Sequence, residues 1–218
     1  VSWSAIAQIE SGRRKDVRLS SLSALADALG VSVDYLIGTA AATVTPQLLE
    51  HRLLPYGSDS EFVEAAVPFL VDGIERSHCL LAVTTEPKIE LLRSTLDDRA
   101  GHVEFADWAD WYRSPNEALS RYGDFVKERF DAGAVWIRIV AEAAWTGRSE
   151  AEIDMWTRYE SLVNLAFASS PATIVCTYDE RSFPTDVVAD ARRTHPEVAH
   201  GIEATASPAY RGPEHFLL

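Results

Sequence analysis

Three runs, HCLLAVTT (78–85), AVWIRIVAE (134–142) and ATIVCTYD (172–179), are apolar at almost every position, and segments with apolar residues at helical spacing lie between them. A strand that is apolar on both sides must be covered on both sides. Strands of this kind alternating with amphipathic helices define an α/β fold, a mostly parallel, doubly wound sheet flanked by helices. SDSEFVEAAVPFLVDGIERS reads as the first helix of this body despite Pro68, with Phe62, Ala65, Ala66, Phe69, Leu70 and Ile74 on one face. Further helices are expected over 86–100, 114–133, 150–168 and 184–195, a short strand at VEFAD (103–107) and a last strand at GIEATA (201–206).

The first 40 residues read differently. SSLSALADALGVS carries Leu22, Leu25, Ala26 and Leu29 at helical spacing, with serine ahead and Gly30 behind. Ser32 can cap a second short helix, VDYLIG, which Gly38 ends. TAAATVTPQ has no periodic apolar face and contains Pro46, so a small all-helical part at 1–38 is expected to join a body at 51–218 through a linker at 39–50.

At 47% hydrophobic the chain can bury a large core, and no run reaches the roughly 18 apolar residues of a membrane helix. The opening has no charged segment followed by an apolar one, so the expected location is the cytoplasm, with no membrane partner. A formal charge of −13 argues against a surface that grips nucleic acid all over. Arg13, Arg14, Lys15 and Arg18 balance Glu10, Asp16, Asp27 and Asp34 in the first 40 residues, which leaves the acidic excess to the body. Cys79 and Cys176 sit inside strand-like runs, where a free cysteine behaves as a small buried hydrophobe; redox chemistry or metal binding is the lesser reading.

The opening VSWSAIAQIESGRRK, with LSALADAL and GVSVDYLIG after it, resembles the second half of a lambda-repressor-like, or XRE-type, helix-turn-helix domain over residues 1–38. The resemblance implies operator DNA as a partner and a recognition helix in VSWSAIAQIESG, capped by Ser2. Trp3, Ser4 and Gln8 would face the major groove, Gln8 able to read an adenine edge, while Arg13, Arg14 and Lys15 would meet phosphates. It also implies that the domain's first two helices would stand ahead of Val1. Asp16 and Val17 lie where that family commonly has a proline, which lengthens the turn.

In the body, His51, ADWADWYRSPNEAL, IRIVAEAAW, WTRYESLVNLAF, VCTYDERSFPTDVVADARRTHPEV and SPAYRGP follow one another in an order that resembles the MEDS domain, the methanogen/methylotroph sensory domain, over about residues 49–217. That resemblance implies a RecA-like or KaiC-like fold that senses small, often hydrocarbon-derived molecules and controls an output module. An ATPase of that fold needs a glycine-rich loop whose amides and lysine cradle phosphates. The loop after HCLLAVTT, TTEPKIELL, has no glycine and places Glu86 where phosphate needs positive charge, so ATP hydrolysis is not expected.

Ligands of open α/β sheets bind beyond the carboxyl ends of the strands. Those ends carry Thr84, Thr85 and Glu86; Asp107 followed by Trp108, Trp111 and Tyr112; Glu142 and Trp145; and Tyr178 and Asp179. Such an aromatic and acidic rim suits a neutral or cationic organic molecule. Glu160 and Asn164, four apart on one helical face, either join that site or satisfy buried backbone. Asp179 either serves the ligand or forms a cap or Asx turn. THPEV reads as a helix exit, since proline disfavours helix at the residue before it. Trp108, Trp111, Trp145 and Trp156 are core by default. His51 and His195 lack close ligand spacing, so no metal and no cofactor is expected. Nucleophile elbow, dinucleotide fingerprint and metal motifs are missing, so the chain reads as no enzyme. It reads as a one-component transcriptional regulator, a homodimer whose body binds a small organic effector. The alternative is a protein-interaction regulator, in a kinase or sigma-factor pathway, with a vestigial head.

Overall fold

A computed structural model describes residues 18–29, 33, 48–142 and 148–217. The chain divides into two compact units, Val1–Gln47 and Leu48–Leu218. In the first, helix α1 (Leu19–Leu29) forms where the leucine spacing predicts it, with Ala26 buried. Ser2, Trp3, Ser4, Gln8, Arg13, Arg14 and Lys15, the second short helix apart from Val33, and Trp145 all lie outside the described residues.

The second unit contains strands β1 (Glu50–Tyr56), β2 (Cys79–Thr84), β3 (Val103–Asp107), β4 (Ile137–Glu142), β5 (Ala172–Asp179), β6 (Glu197–His200) and β7 (Glu203–Ala206). They form one seven-stranded sheet in the order β3-β2-β4-β5-β1-β6-β7, parallel throughout except for the antiparallel β6–β7 pair. Between them run helices α2 (Asp59–Glu75), α3 (Glu86–Leu96), the single turn α4 (Trp108–Trp111), α5 (Pro115–Asp131), α6 (Glu150–Ala166) and α7 (Thr185–Thr194), and α8 (Glu214–Leu217) follows β7. The expected α/β class, a mostly parallel sheet flanked by helices, is the observed one.

Because strand residues alternate sides, the sheet has two cores. One gathers Leu53, Ile139, Ile174, Cys176 and Tyr178 with Tyr122 of α5, Trp156 and Tyr159 of α6 and Val187 of α7. The other gathers Leu54, Tyr56, Leu80, Ala82, Val140 and Val175 with Phe62, Phe69 and Leu70 of α2 and Leu92 of α3. A Cβ on Gly73 would stand 2.5 Å from Leu80 Cδ2, so glycine permits the close approach of α2 to the sheet. Pro68 is exposed and α2 continues through it. Trp156 is core, and Trp108 and Trp111 pack partly against the same side.

Two strands escaped the sequence reading. β1 opens with Glu50, His51 and Arg52 and contains Pro55, a residue that argues against an inner strand. The structure accommodates Pro55 because β1 pairs with β5 along its whole length but with β6 only at Arg52 and Leu53. β6 follows Pro196 directly and turns into β7 at Gly201, whose φ of +68° suits glycine.

Candidate functional site

Among the described residues, the carboxyl ends of the strands do not form an open acidic rim. Glu142, at the end of β4, is 5% exposed and fully engaged. Its oxygens accept from the Tyr56 hydroxyl at 3.0 Å, the Thr85 amide at 3.2 Å and the Thr84 hydroxyl, and it pairs with Lys88 of α3. Lys88 Nζ also lies 3.9 Å from Asp179 and 5.0 Å from the centre of the Tyr56 ring. Asp179 accepts from the Arg181 amide at 3.0 Å and from its guanidinium at 2.8 Å, so the Asx-turn reading of this residue is the observed one. The Arg181 bonds hold its carboxyl below the usual range. Arg181 reaches on to Asp59 at 2.6 Å. Every carboxylate here has a cation or a donor. Lys88 and Arg181 thus neutralise Glu142 and Asp179, the two strand-end carboxylates of the expected rim.

The other rim residues part company. Glu86 is exposed at the first turn of α3. Asp107 caps α4 by accepting from the Ala109 amide at 2.7 Å. Trp111 is half-buried, its ring 5.1 Å from that of Tyr122, and its indole nitrogen is buried with no hydrogen-bond partner. Tyr112 and Tyr178 lie in the core beneath α5, α6 and α7, on the opposite side from Glu142. The sequence reading took the loop after β2 as the counterpart of a phosphate cradle, but β1 comes first. In the loop after β1 the Gly57 amide donates to the Glu61 carboxylate at 2.6 Å, while the Ser58 hydroxyl caps α2 by accepting from the Glu61 amide at 3.2 Å.

A second polar centre lies in that opposite core. His51 on β1, Glu160 on α6, Cys176 on β5 and His195 at the end of α7 are all buried, and one donor atom from each lies within 4.8 Å of the others. His51 Nε2 is 3.3 Å from Cys176 Sγ and 3.5 Å from Glu160 Oε2; His195 Nε2 is 3.6 Å from the same oxygen. Cys176 Sγ is 3.8 Å from it. Local sequence explains each placement. His51 shares a sheet side with Leu53, as Cys176 does with Ile174 and Tyr178. Glu160 and Asn164 share the buried face of α6 with Trp156 and Val163. Pro196 ends α7 at His195, whose extended backbone turns the ring inward.

The hydrogen-bond partners settle the tautomers. His195 Nδ1 lies 2.8 Å from the Ala191 carbonyl, which only accepts, so Nδ1 carries the proton. Asn164 spends its Nδ2 on the Thr194 carbonyl at 2.8 Å, so its Oδ1, 3.1 Å from His51 Nδ1, is the acceptor there. Both imidazoles thus direct a bare Nε2 inward, and among the described residues His195 Nε2 has no hydrogen-bond partner. Burial holds both rings neutral: it lowers His51 to about 4, against the Asn164 bond, and His195 to about 3, with His51 adding to the effect. Burial raises Glu160, and raises the Cys176 thiol and the Tyr178 phenol with help from the neighbouring Glu160. Beside this centre is a small cavity of about 10 Å³, the space of one water, lined by Tyr112, Tyr122, Tyr159, Glu160 and Cys176. The Tyr112 and Tyr122 hydroxyls meet there at 2.5 Å.

Of the sequence-predicted site residues, Tyr112, Glu160, Asn164 and Tyr178 converge on this centre, Glu142 and Asp179 on the other, and Glu86, Asp107 and Trp111 on neither. His51 and His195 were set aside for want of close spacing, and Cys176 as a hydrophobe. One cue was available: each is a polar or titratable residue inside, or at the end of, an otherwise apolar buried element.

The fold and its interior centre define an α/β domain built around a closed cluster of histidine, cysteine and carboxylate rather than around an exposed phosphate loop. A family model described as MEDS, the methanogen/methylotroph, DcmR sensory domain, matches residues 50–196, and the chain belongs to that family. No curated protein is significantly similar to the chain. Among solved structures, the flagellar accessory protein FlaH from Methanocaldococcus jannaschii is similar over 79% of this chain and 80% of its own, with 12% identity and a TM-score of 0.37.

Proposed function

We propose that this chain is a one-component transcriptional regulator: the MEDS body receives a small effector in the tyrosine-lined cavity beside the His51–Glu160–Cys176–His195 centre, and the amino-terminal unit binds operator DNA as a dimer. The observation that carries this is a tyrosine-lined cavity beside a buried polar centre, in a domain of a sensory family. A closed site of this size favours a small neutral molecule, and admitting anything larger requires the Tyr112–Tyr122 pair to part. The helix Leu19–Leu29 and the basic run Arg13-Arg14-Lys15 in the sequence support a DNA-binding head. Control follows from differential affinity: an effector that favours one arrangement of the body shifts the spacing of the two heads, to which a two-fold operator is sensitive. The test is fluorescence anisotropy of the full protein on DNA from upstream of its own gene, at low salt, with and without small molecules that raise its melting temperature. Binding that changes with such a molecule supports the reading. Absence of binding, or binding indifferent to every such molecule, overturns it, and a stoichiometric co-purifying protein would favour a protein-interaction role.

A further inference from the structure

We propose that His51, Glu160, Cys176 and His195 bind one divalent d-block cation, zinc or a metal of similar preference, through two imidazole nitrogens, a thiolate and a carboxylate oxygen. Four arguments converge. Donor type comes first: imidazole, thiolate and carboxylate together are the ligand set of tetrahedral zinc sites. Geometry is the second. Metal–ligand bonds of zinc at the tetrahedral angle put neighbouring donor atoms about 3.3–3.6 Å apart. The four measured edges are 3.3, 3.5, 3.6 and 3.8 Å, and no edge exceeds 4.8 Å.

The third argument is the surroundings. A ligating histidine ordinarily donates its other ring N–H to a carbonyl or carboxylate, which fixes the ring and the tautomer. His195 does this to the Ala191 carbonyl and His51 to Asn164, itself held by the Thr194 carbonyl. The fourth is a proton count. The centre presents two imine nitrogens and a carboxylate, all acceptors, while the nearby hydrogens are those of the Cys176 thiol and the Tyr178 phenol, the latter directed to Glu160. His195 Nε2, fully buried, is left without a donor. A cation satisfies every inward lone pair at once, and on binding the thiol proton, with any proton on Glu160, leaves to solvent. Deep burial behind α6 and α7 makes the site a slowly exchanging one.

This inference concerns the centre's occupant and holds whether or not the chain regulates transcription; its readouts need neither effector nor DNA. The full chain is purified under reducing conditions, its metal content measured, and the chelator-stripped protein titrated with ZnCl₂ and, separately, with CoCl₂. The expected result is about one metal per chain and a tetrahedral cobalt spectrum that includes a sulfur-to-cobalt charge-transfer band. Cys176→Ser removes that band, and Asn164→Ala, which releases the His51 ring and the Thr194 carbonyl but removes no ligand, weakens zinc binding about tenfold to a hundredfold. Retained folding of each variant is checked by circular dichroism. A folded wild-type chain that purifies without metal and gives no cobalt spectrum overturns the proposal, and so does a charge-transfer band that survives in Cys176→Ser. Should a variant fail to fold, the wild-type titration decides alone.

Discussion

On one side of the sheet Glu142, Lys88, Asp179 and Arg181 neutralise one another, and every oxygen of Glu142 has a donor. On the other side His51, Glu160, Cys176 and His195 are all buried, whereas Lys88 is half-buried and Arg181 exposed, yet acceptors outnumber donors. Both centres are polar and built from several elements. What separates them is completeness. A saturated ion network has no valence left for a ligand, and its role is to tie α2 and α3 to the strand ends. A centre short of donors is one that the fold holds ready for something else, since an unsatisfied buried polar atom costs about 1–3 kcal/mol and is otherwise selected against.

The same substitution in the two centres sharpens this most. Glu142→Gln leaves Lys88 buried with its remaining carboxylate at 3.9 Å and is expected to cost about 3 kcal/mol. Glu160→Gln in the metal-free chain removes a charge that burial already disfavours, and is expected to lie within about 1 kcal/mol of wild type or to stabilise. Urea unfolding of both proteins measures the difference. Equal losses would erase the distinction between the centres.

The pH dependence of the metal-free chain probes the second centre alone. His51 and His195 stay neutral in the fold down to about pH 4 and pH 3, but protonate near 6.5 when unfolded. The unfolded chain therefore binds more protons in that window. Stability is full above pH 6.5 and falls as pH drops, by up to about 1.4 kcal/mol per pH unit for each histidine. Glu160 has the opposite sign: its raised folded pKa gives stability present below about 4.5 and lost as pH rises through the folded pKa, which blunts the slope above 4.5. Unfolding at a series of pH values should show the steepest loss below pH 4.5, and His195→Gln should flatten it.

The smallest effect concerns the cavity wall. Tyr112→Phe removes the Tyr112–Tyr122 bond and is expected to cost about 1 kcal/mol in thermal unfolding. If the Tyr pair gates the cavity, the same variant also speeds exchange of whatever the centre holds, which a chelator-competition rate measures.

The sheet class was legible because Ile137–Glu142 and Ala172–Asp179 are buried along their whole length, and continuous apolarity reports that directly. β1 was not, because Pro55 and three polar residues disguise it; the features that hid the strand are also what put His51 into the interior. Glu160 and Asn164 were visible as a pair, since four residues make one helical turn. The centre itself was not legible. Its four ligands come from four elements spread over 144 positions of the sequence, from His51 to His195, and only the β5-β1 pairing and the packing of α6 and α7 bring them together. The partners of the strand-end carboxylates were not legible for a related reason. Topology predicts where a ligand could bind, but not that Lys88 and Arg181 already occupy the place.

Long-range ¹H–¹⁵N NMR of the imidazole rings in the metal-free chain at neutral pH tests the claim of an open interior centre most directly. The account predicts that His51 and His195 are both neutral, protonated at Nδ1 and bare at Nε2, and that one equivalent of zinc shifts both Nε2 resonances while each Nδ1 keeps its proton. A proton on either Nε2, or zinc shifts confined to His78, His102, His200 and His215, would contradict it.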